Sequence, residues 1–147
     1  RVDIMDIREC LEKRYLEKIK IDEALVRKEI KEAENDLEKA KDDLEDEDFK
    51  WSIIKAYYSM FHAGKAVLFA LGYKERKHVA VQIVLEDLSK QGKLESIYAQ
   101  YLSSGEECRE GADYRYTYSE DIAEEMIENA EKFLKRIKEL INKRLLK

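Results

Sequence analysis

No proline occurs in the 147 residues of this chain. Proline breaks helices, because its ring clashes with the preceding turn and its nitrogen has no hydrogen to donate. A chain without it can run long, uninterrupted helices. Only 5 glycines are present, too few for a turn-rich β protein. Hydrophobic residues make up 44% and charged residues 41%, the balance expected of helices with one wet and one dry face. The length fits one domain, residues 1–147, with a core that needs no disulfide or metal staples.

Periodicity places the helices. Residues 3–19 read as a short amphipathic helix with Ile4, Ile7, Leu11, Tyr15 and Leu16 on one side. A long helix over 21–46 carries the stripe Val26, Ile30, Ala33, Leu37, Ala40 and Leu44, stepping by alternate fours and threes. Its alanines allow a neighbour close. After the acidic stretch 42–48, a helix over 49–72 has two apolar stripes, so it is the central one. One holds Ile54, Tyr58, Phe61 and Leu68, the other Ile53, Tyr57, Met60, Val67 and Leu71. Its remaining face carries Ser52, Lys55, Ser59 and His62, and Gly72 suits a left-handed cap. A basic loop, Lys74 to His78, precedes a helix over 78–90. The next helix spans 93–112, its second half weakened by Gly105. Loop 113–118 is rich in tyrosine, and Thr117 with Glu120 reads as a capping box opening a last helix over 119–146. The expected architecture is all-α: an antiparallel up-and-down bundle of four to five main helices plus a short N-terminal helix.

Several function classes drop out. A net charge of −5 argues against bulk, non-specific DNA binding. Cys10 and Cys108 form no paired motif, and no residues have metal-ligand spacing, so neither a disulfide framework nor a metal or cofactor is expected. The apolar run 66–71 is too short to span a bilayer, and no signal-peptide pattern opens the chain, so a cytoplasmic setting with no membrane partner is expected.

Short connections make successive helices antiparallel. If the start of the long helix is the bottom, the acidic turn lies at the top and loop 74–78 at the bottom. The 78–90 helix then rises and the 93–112 helix descends, returning Arg109 and loop 113–118 to the bottom. That end would gather Arg76, Lys77, His78, Arg109, Arg115, Tyr114, Tyr116 and Tyr118. Guanidinium groups hold phosphate bidentately, and tyrosines stack on bases. A phosphate-bearing ligand suits such an end; so does an ordinary solvated loop cluster. His62, mid-helix among serines and a lysine, reads as a structural residue. Paired acids such as Glu106/Glu107 and Glu124/Glu125 read as solvated faces.

The string AYYSMFHAGKAVLFALGYKERKH, Ala56 to His78, and the shorter REGADYRY, Arg109 to Tyr116, resemble the HEPN (higher eukaryote and prokaryote nucleotide-binding) family. The likeness runs roughly from Ile21 to Leu140 and is to the small stand-alone archaeal and bacterial HEPN proteins, which resemble the HEPN partners of minimal nucleotidyltransferases. It implies a helical bundle that forms a homodimer. In active relatives an Arg-x-x-x-x-His motif from two subunits cleaves RNA without metal. The arginine holds the scissile phosphate and the histidine handles the 2′-hydroxyl proton. One branch extends the motif by x-Tyr, and the partner enzyme modifies that tyrosine with AMP. Here Arg109 matches the arginine and Tyr116 the tyrosine, but Tyr114 stands at the histidine position. A phenol with pKa near 10 is a poor base at neutral pH.

The resemblance therefore implies a nucleotide- or RNA-binding module of a toxin-antitoxin-like pair, with Arg109 and Tyr114 at its centre. Arg76, Lys77, His78, Arg115 and Tyr116 are the expected binding residues. The alternative is a metal-independent endoribonuclease that uses Arg109 and a substitute base, for which His78 is the one credible histidine.

Overall fold

Two helices, each starting at an aspartate, form the spine of the molecule. The computed structural model describes residues 5–145, so Ile4 and the expected helix ends at residues 3 and 146 lie outside the described residues. In chain order the elements are α1 (Ile7–Glu12), β1 (Leu16–Lys18), α2 (Glu23–Glu45), α3 (Phe49–Leu71), β2 (Tyr73–Glu75), α4 (Val79–Lys90), α5 (Ser96–Tyr114) and α6 (Glu120–Leu140), the last running into a π-helical turn, Ile141–Leu145. The fold is an all-α bundle with one tiny two-stranded sheet. Among the described residues, no helix is long and apolar enough to cross a membrane.

Side-chain caps set the starts of the spine helices. Asp22 accepts from the Ala24 amide at 2.9 Å, and Asp48 from the Trp51 amide at 3.3 Å, satisfying amides that a helix start leaves free. Gly72 ends α3 with φ 85°, the left-handed cap. The α2 stripe is buried at Val26, Ala33, Leu37 and Ala40. At its two alanines, hydroxyls of α3 reach the α2 backbone: Ser52 donates to the Ala40 carbonyl at 2.8 Å and Ser59 to the Ala33 carbonyl at 2.7 Å. Both serines are fully buried. The polar face of α3 is thus the face that meets α2. Its apolar stripes meet α5 and α6.

Helix α5 passes through Gly105 unbroken. A Cβ there would meet Met60 Cε at 2.7 Å, so the glycine lets α5 lie close on α3 and does not end the helix.

Three local expectations need correction. The helix expected over 3–19 is only α1; after Arg14 at φ 61° the chain becomes β1. β1 pairs antiparallel with β2 in the register Leu16↔Glu75, Glu17↔Lys74, Lys18↔Tyr73. That pairing uses a segment distant in sequence, which local periodicity does not register. Next, α6 is capped by Ser119, whose hydroxyl accepts from the Ile122 amide at 3.2 Å. Thr117 instead donates to the Arg115 carbonyl.

The third correction concerns direction. α2 rises and α3 descends, as the Ser52–Ala40 and Ser59–Ala33 contacts require. β2 climbs back along α3, bringing Glu75 within 3.6 Å of Lys65 and His78 beside Phe61. A strand covers about 3.3 Å per residue against about 1.5 Å in a helix, so the short connection makes the climb assigned to the 78–90 helix. Helix α4 descends, its Gln82 donating to the Ala99 carbonyl of α5 at 2.9 Å. Helix α5 then rises antiparallel to α6, with Arg136 and Glu95 paired at 2.7 Å at one end and Gly105 beside Met126 further up. The loop after α5 therefore sits at the top: Lys50, at the start of α3, lies 5.9 Å from the Tyr116 ring. The expected division into an acidic top and a basic bottom does not hold.

Candidate functional site

Tyr57 is the hub of the flank where α3 meets α5. Its ring is buried, and a buried phenol needs a hydrogen-bond partner. Its hydroxyl lies 2.6 Å from His78 Nε2 and 3.3 Å from Glu106 Oε2. Residues 57 and 61 are neighbours one turn apart on α3. The imidazole of His78, delivered by the climbing β2 segment, stacks flat on Phe61 at 3.9 Å and 7° while its edge reaches Tyr57. Residues 106 and 109 are likewise one turn apart on α5. Glu106 meets the Tyr57 hydroxyl, and the Arg109 guanidinium lies 5.5 Å from the Tyr57 ring centre.

Arg109 is held between aromatics. Tyr114 lies 6.0 Å from it, and Asp113 is 3.8 Å from its Nη1. Only 12% of the side chain is exposed, yet its buried Nε has no hydrogen-bond partner. A buried N–H without an acceptor is costly. Tyr114 beside Arg109 is 69% exposed, and two further exposed aromatics, Tyr116 at 75% and Trp51 at 45%, flank Lys50.

The electrostatics are uneven. Burial pushes the Tyr57 phenol far above its usual range, and the charge of Glu106 adds to that; Tyr57 is a neutral donor at any ordinary pH. Burial lowers the pKa of His78, and Arg109 adds to the lowering against the opposing pull of Glu106. At neutral pH His78 is therefore the uncharged imidazole.

Of the expected site residues, the fold brings His78, Arg109 and Tyr114 to one cluster. Arg76 and Lys77 face the N-terminal segment instead: Arg76 pairs with Glu17 at 3.3 Å, and Lys77 lies 5.7 Å from the Tyr15 ring. Arg115 folds back on the last turn of α5, close to Gly111. Tyr116, at φ 55°, turns toward Lys50. Two members of the cluster escaped the sequence reading. By periodicity Tyr57 belongs to an apolar stripe, and Glu106, paired with Glu107, reads as a solvated face. The available signal was a tyrosine inside a core stripe, which needs a polar partner.

The class of protein is now defined: an all-α bundle whose central helix presents a phenol to an imidazole, a carboxylate and a nearly buried guanidinium. Residues 26–140 match the HEPN domain, and the chain belongs to the HEPN family. A protein of Methanocaldococcus jannaschii named "Putative toxin" is 33% identical over 129 residues, covering 80% of this chain and 96% of the relative. A second protein of that organism with the same description is 29% identical over 151 residues, covering 100% and 94%. A UPF0332 protein of Pyrococcus horikoshii is 42% identical over 79 residues, covering 53% and 56%.

Proposed function

We propose that this chain is the nucleotide- or RNA-binding HEPN module of a toxin-like two-component system, and that Arg109 holds a phosphate of the ligand. The observation carrying the reading is the nearly buried guanidinium of Arg109, whose Nε lacks a partner and which lies beside the exposed Tyr114. Its partner would be a minimal nucleotidyltransferase, in keeping with the resemblance and with the toxin names of its relatives. The exposed Trp51, Tyr114 and Tyr116 suit stacking on bases or contact with a second copy of the chain.

The test compares Arg109→Ala with Arg136→Ala in AMP and RNA binding at low salt. Arg136 is paired with Glu95 toward the lower end of α6. A charge-assisted phosphate contact contributes roughly 1.5–3 kcal/mol, so Arg109→Ala should weaken binding by about ten- to a hundredfold while Arg136→Ala leaves it unchanged. Equal weakening by both would reduce the site to diffuse electrostatics. Light scattering at micromolar concentration should show a dimer; a monomer would remove any site composed from two subunits.

A further inference from the structure

One charge pattern lies outside the site around Arg109. Residues 13–20 carry Lys13, Arg14, Lys18 and Lys20 against a single acid, Glu17, and residues 74–77 add Lys74, Arg76 and Lys77 against Glu75. All of these cations are exposed. Both acids are already engaged, Glu17 with Arg76 at 3.3 Å and Glu75 with Lys65 at 3.6 Å. The β1–β2 ribbon is therefore a basic surface on a chain whose net charge is −5. We propose that the outer edge of β1 is a docking site for an acidic, extended segment of a partner protein, which adds to the ribbon as a third strand.

The register decides which backbone groups can take it. The Ile19 amide donates to the Gly72 carbonyl at 2.9 Å, and the Arg76 amide to the Tyr15 carbonyl at 2.7 Å. Residues 15, 17 and 19 thus turn their polar backbone groups toward β2. In an antiparallel pair the residues between them point the other way. The amides and carbonyls of Leu16 and Lys18 face outward, and among the described residues no turn, loop or side-chain hydrogen bond uses them. Such an edge is a template for another strand. A concavity of about 360 Å³ lies beside it, lined by Leu11, Arg14, Leu16, Glu17, Lys18 and Arg76. The two leucines suit an aliphatic side chain of the added strand, and the cations suit acids on either side of it.

Other occupants fit less well. Phosphates only accept hydrogen bonds, so a nucleic acid backbone matches the outward amides and not the outward carbonyls, whereas a peptide strand matches both. Nor does the ribbon offer open rings for stacking: Tyr15 is half-buried with Lys77 at 5.7 Å from its ring, and Tyr73 is half-buried. A second copy of this chain would bring two basic ribbons together, and like charges on paired strands repel.

The probe is a labelled peptide of alternating glutamate and valine, about eight residues long, titrated with the full chain at low salt and followed by fluorescence anisotropy. It should bind saturably, weaken with added salt, and slow hydrogen exchange at the Leu16 and Lys18 amides. The same peptide with lysine for glutamate should not bind. Versions N-methylated at the valines or at the glutamates keep every charge but lose one set of donors. Only one set can face β1, so at least one version should bind about three- to tenfold more weakly, the worth of one hydrogen bond. On the protein, Lys18→Pro removes an outward amide that β2 does not use. It should bind the peptide more weakly than Lys18→Thr, which loses the same charge and keeps the amide. If Lys18→Pro does not fold, the methylated peptides still read the same bonds on wild type. AMP binding, which reads Arg109, should be unchanged in both variants, so the two readings fail separately. Full-strength binding by both methylated peptides would reduce the edge to a basic patch and overturn the proposal. So would the absence of saturable peptide binding below about 1 mM, or tighter binding of a single-stranded oligouridylate that protects the same amides. Protection of those amides that rises with protein concentration alone would show self-pairing, and would overturn it too.

Discussion

Helix α3 has two polar flanks, and they are built on opposite terms. Toward α2, Glu29, Asp36 and Asp43 recur every seven residues on one face. They meet His62, Lys65 and Lys55 of α3: His62 Nδ1 lies 2.7 Å from Glu29 and its Nε2 3.7 Å from Asp36, Lys65 lies 3.7 Å from Glu29, and Lys55 2.7 Å from Asp43. Beneath them Ser52 and Ser59 bind carbonyls. Toward α5, Arg109 keeps an N–H without a partner, and Tyr114 beside it is exposed. The two histidines of the chain divide between these flanks. The hydrogen bond to Glu29 raises the pKa of His62 against the opposing effect of burial, whereas burial lowers that of His78. The α2 flank closes on itself through ion pairs; on the proposed function, the more open α5 flank would take the ligand.

The comparison breaks hardest at Tyr57. Tyr57→Ala removes a fully buried ring shared by the core and the open flank, and should cost about 3–5 kcal/mol in urea unfolding. A cost below about 1 kcal/mol would mean the α3–α5 contact is loose. On the closed flank, Ser59→Val inserts bulk where α2 and α3 lie close and removes the bond to the Ala33 carbonyl. A destabilisation of about 1–3 kcal/mol is expected by the same measurement; neutrality would show that the two helices separate easily.

The histidines sharpen the contrast through pH. The raised pKa of His62 means its stabilising contribution is fully present below the unfolded value near 6.5 and is lost as pH rises through the folded value. His62→Gln should therefore cost more stability at pH 5.5 than at pH 8.5. His78 has the opposite sign: its lowered pKa gives a contribution present above the unfolded value and lost as pH falls through the folded one. His78→Gln should narrow its gap to wild type at low pH, and parallel pH curves for the two variants would cancel the distinction between flanks. The smallest effect is expected at Arg76→Ala. That exposed pair with Glu17 should contribute about 0–1 kcal/mol, and AMP binding should not change.

What was legible in the sequence was what local periodicity encodes. The α2 stripe, the two faces of α3 and the Gly72 cap all follow from residues within a few turns of one another. The direction of α4 and α5 did not, because it depends on whether residues 73–78 climb as a strand, and that is decided by pairing with β1. The same strand cut the expected N-terminal helix short. At the site, Arg109, His78 and Tyr114 were recognisable as chemistry. Tyr57 and Glu106 were not, because an apolar stripe hides a phenol and an acidic pair resembles a wet surface. Their roles exist only where two helices cross at Gly105.

The pairing of β1 with β2 has a consequence for timing. Tyr15 accepts from the amides of Arg76 at 2.7 Å and Lys77 at 3.1 Å, so the backbone leading into His78 is tied down before any ligand arrives. Fixing a residue's backbone costs about 1–2 kcal/mol of conformational entropy. For residues 73–78 that loss falls on the folding of the chain. The imidazole is thus held on backbone already ordered in the fold, so a ligand reaching it would need no loop to order first.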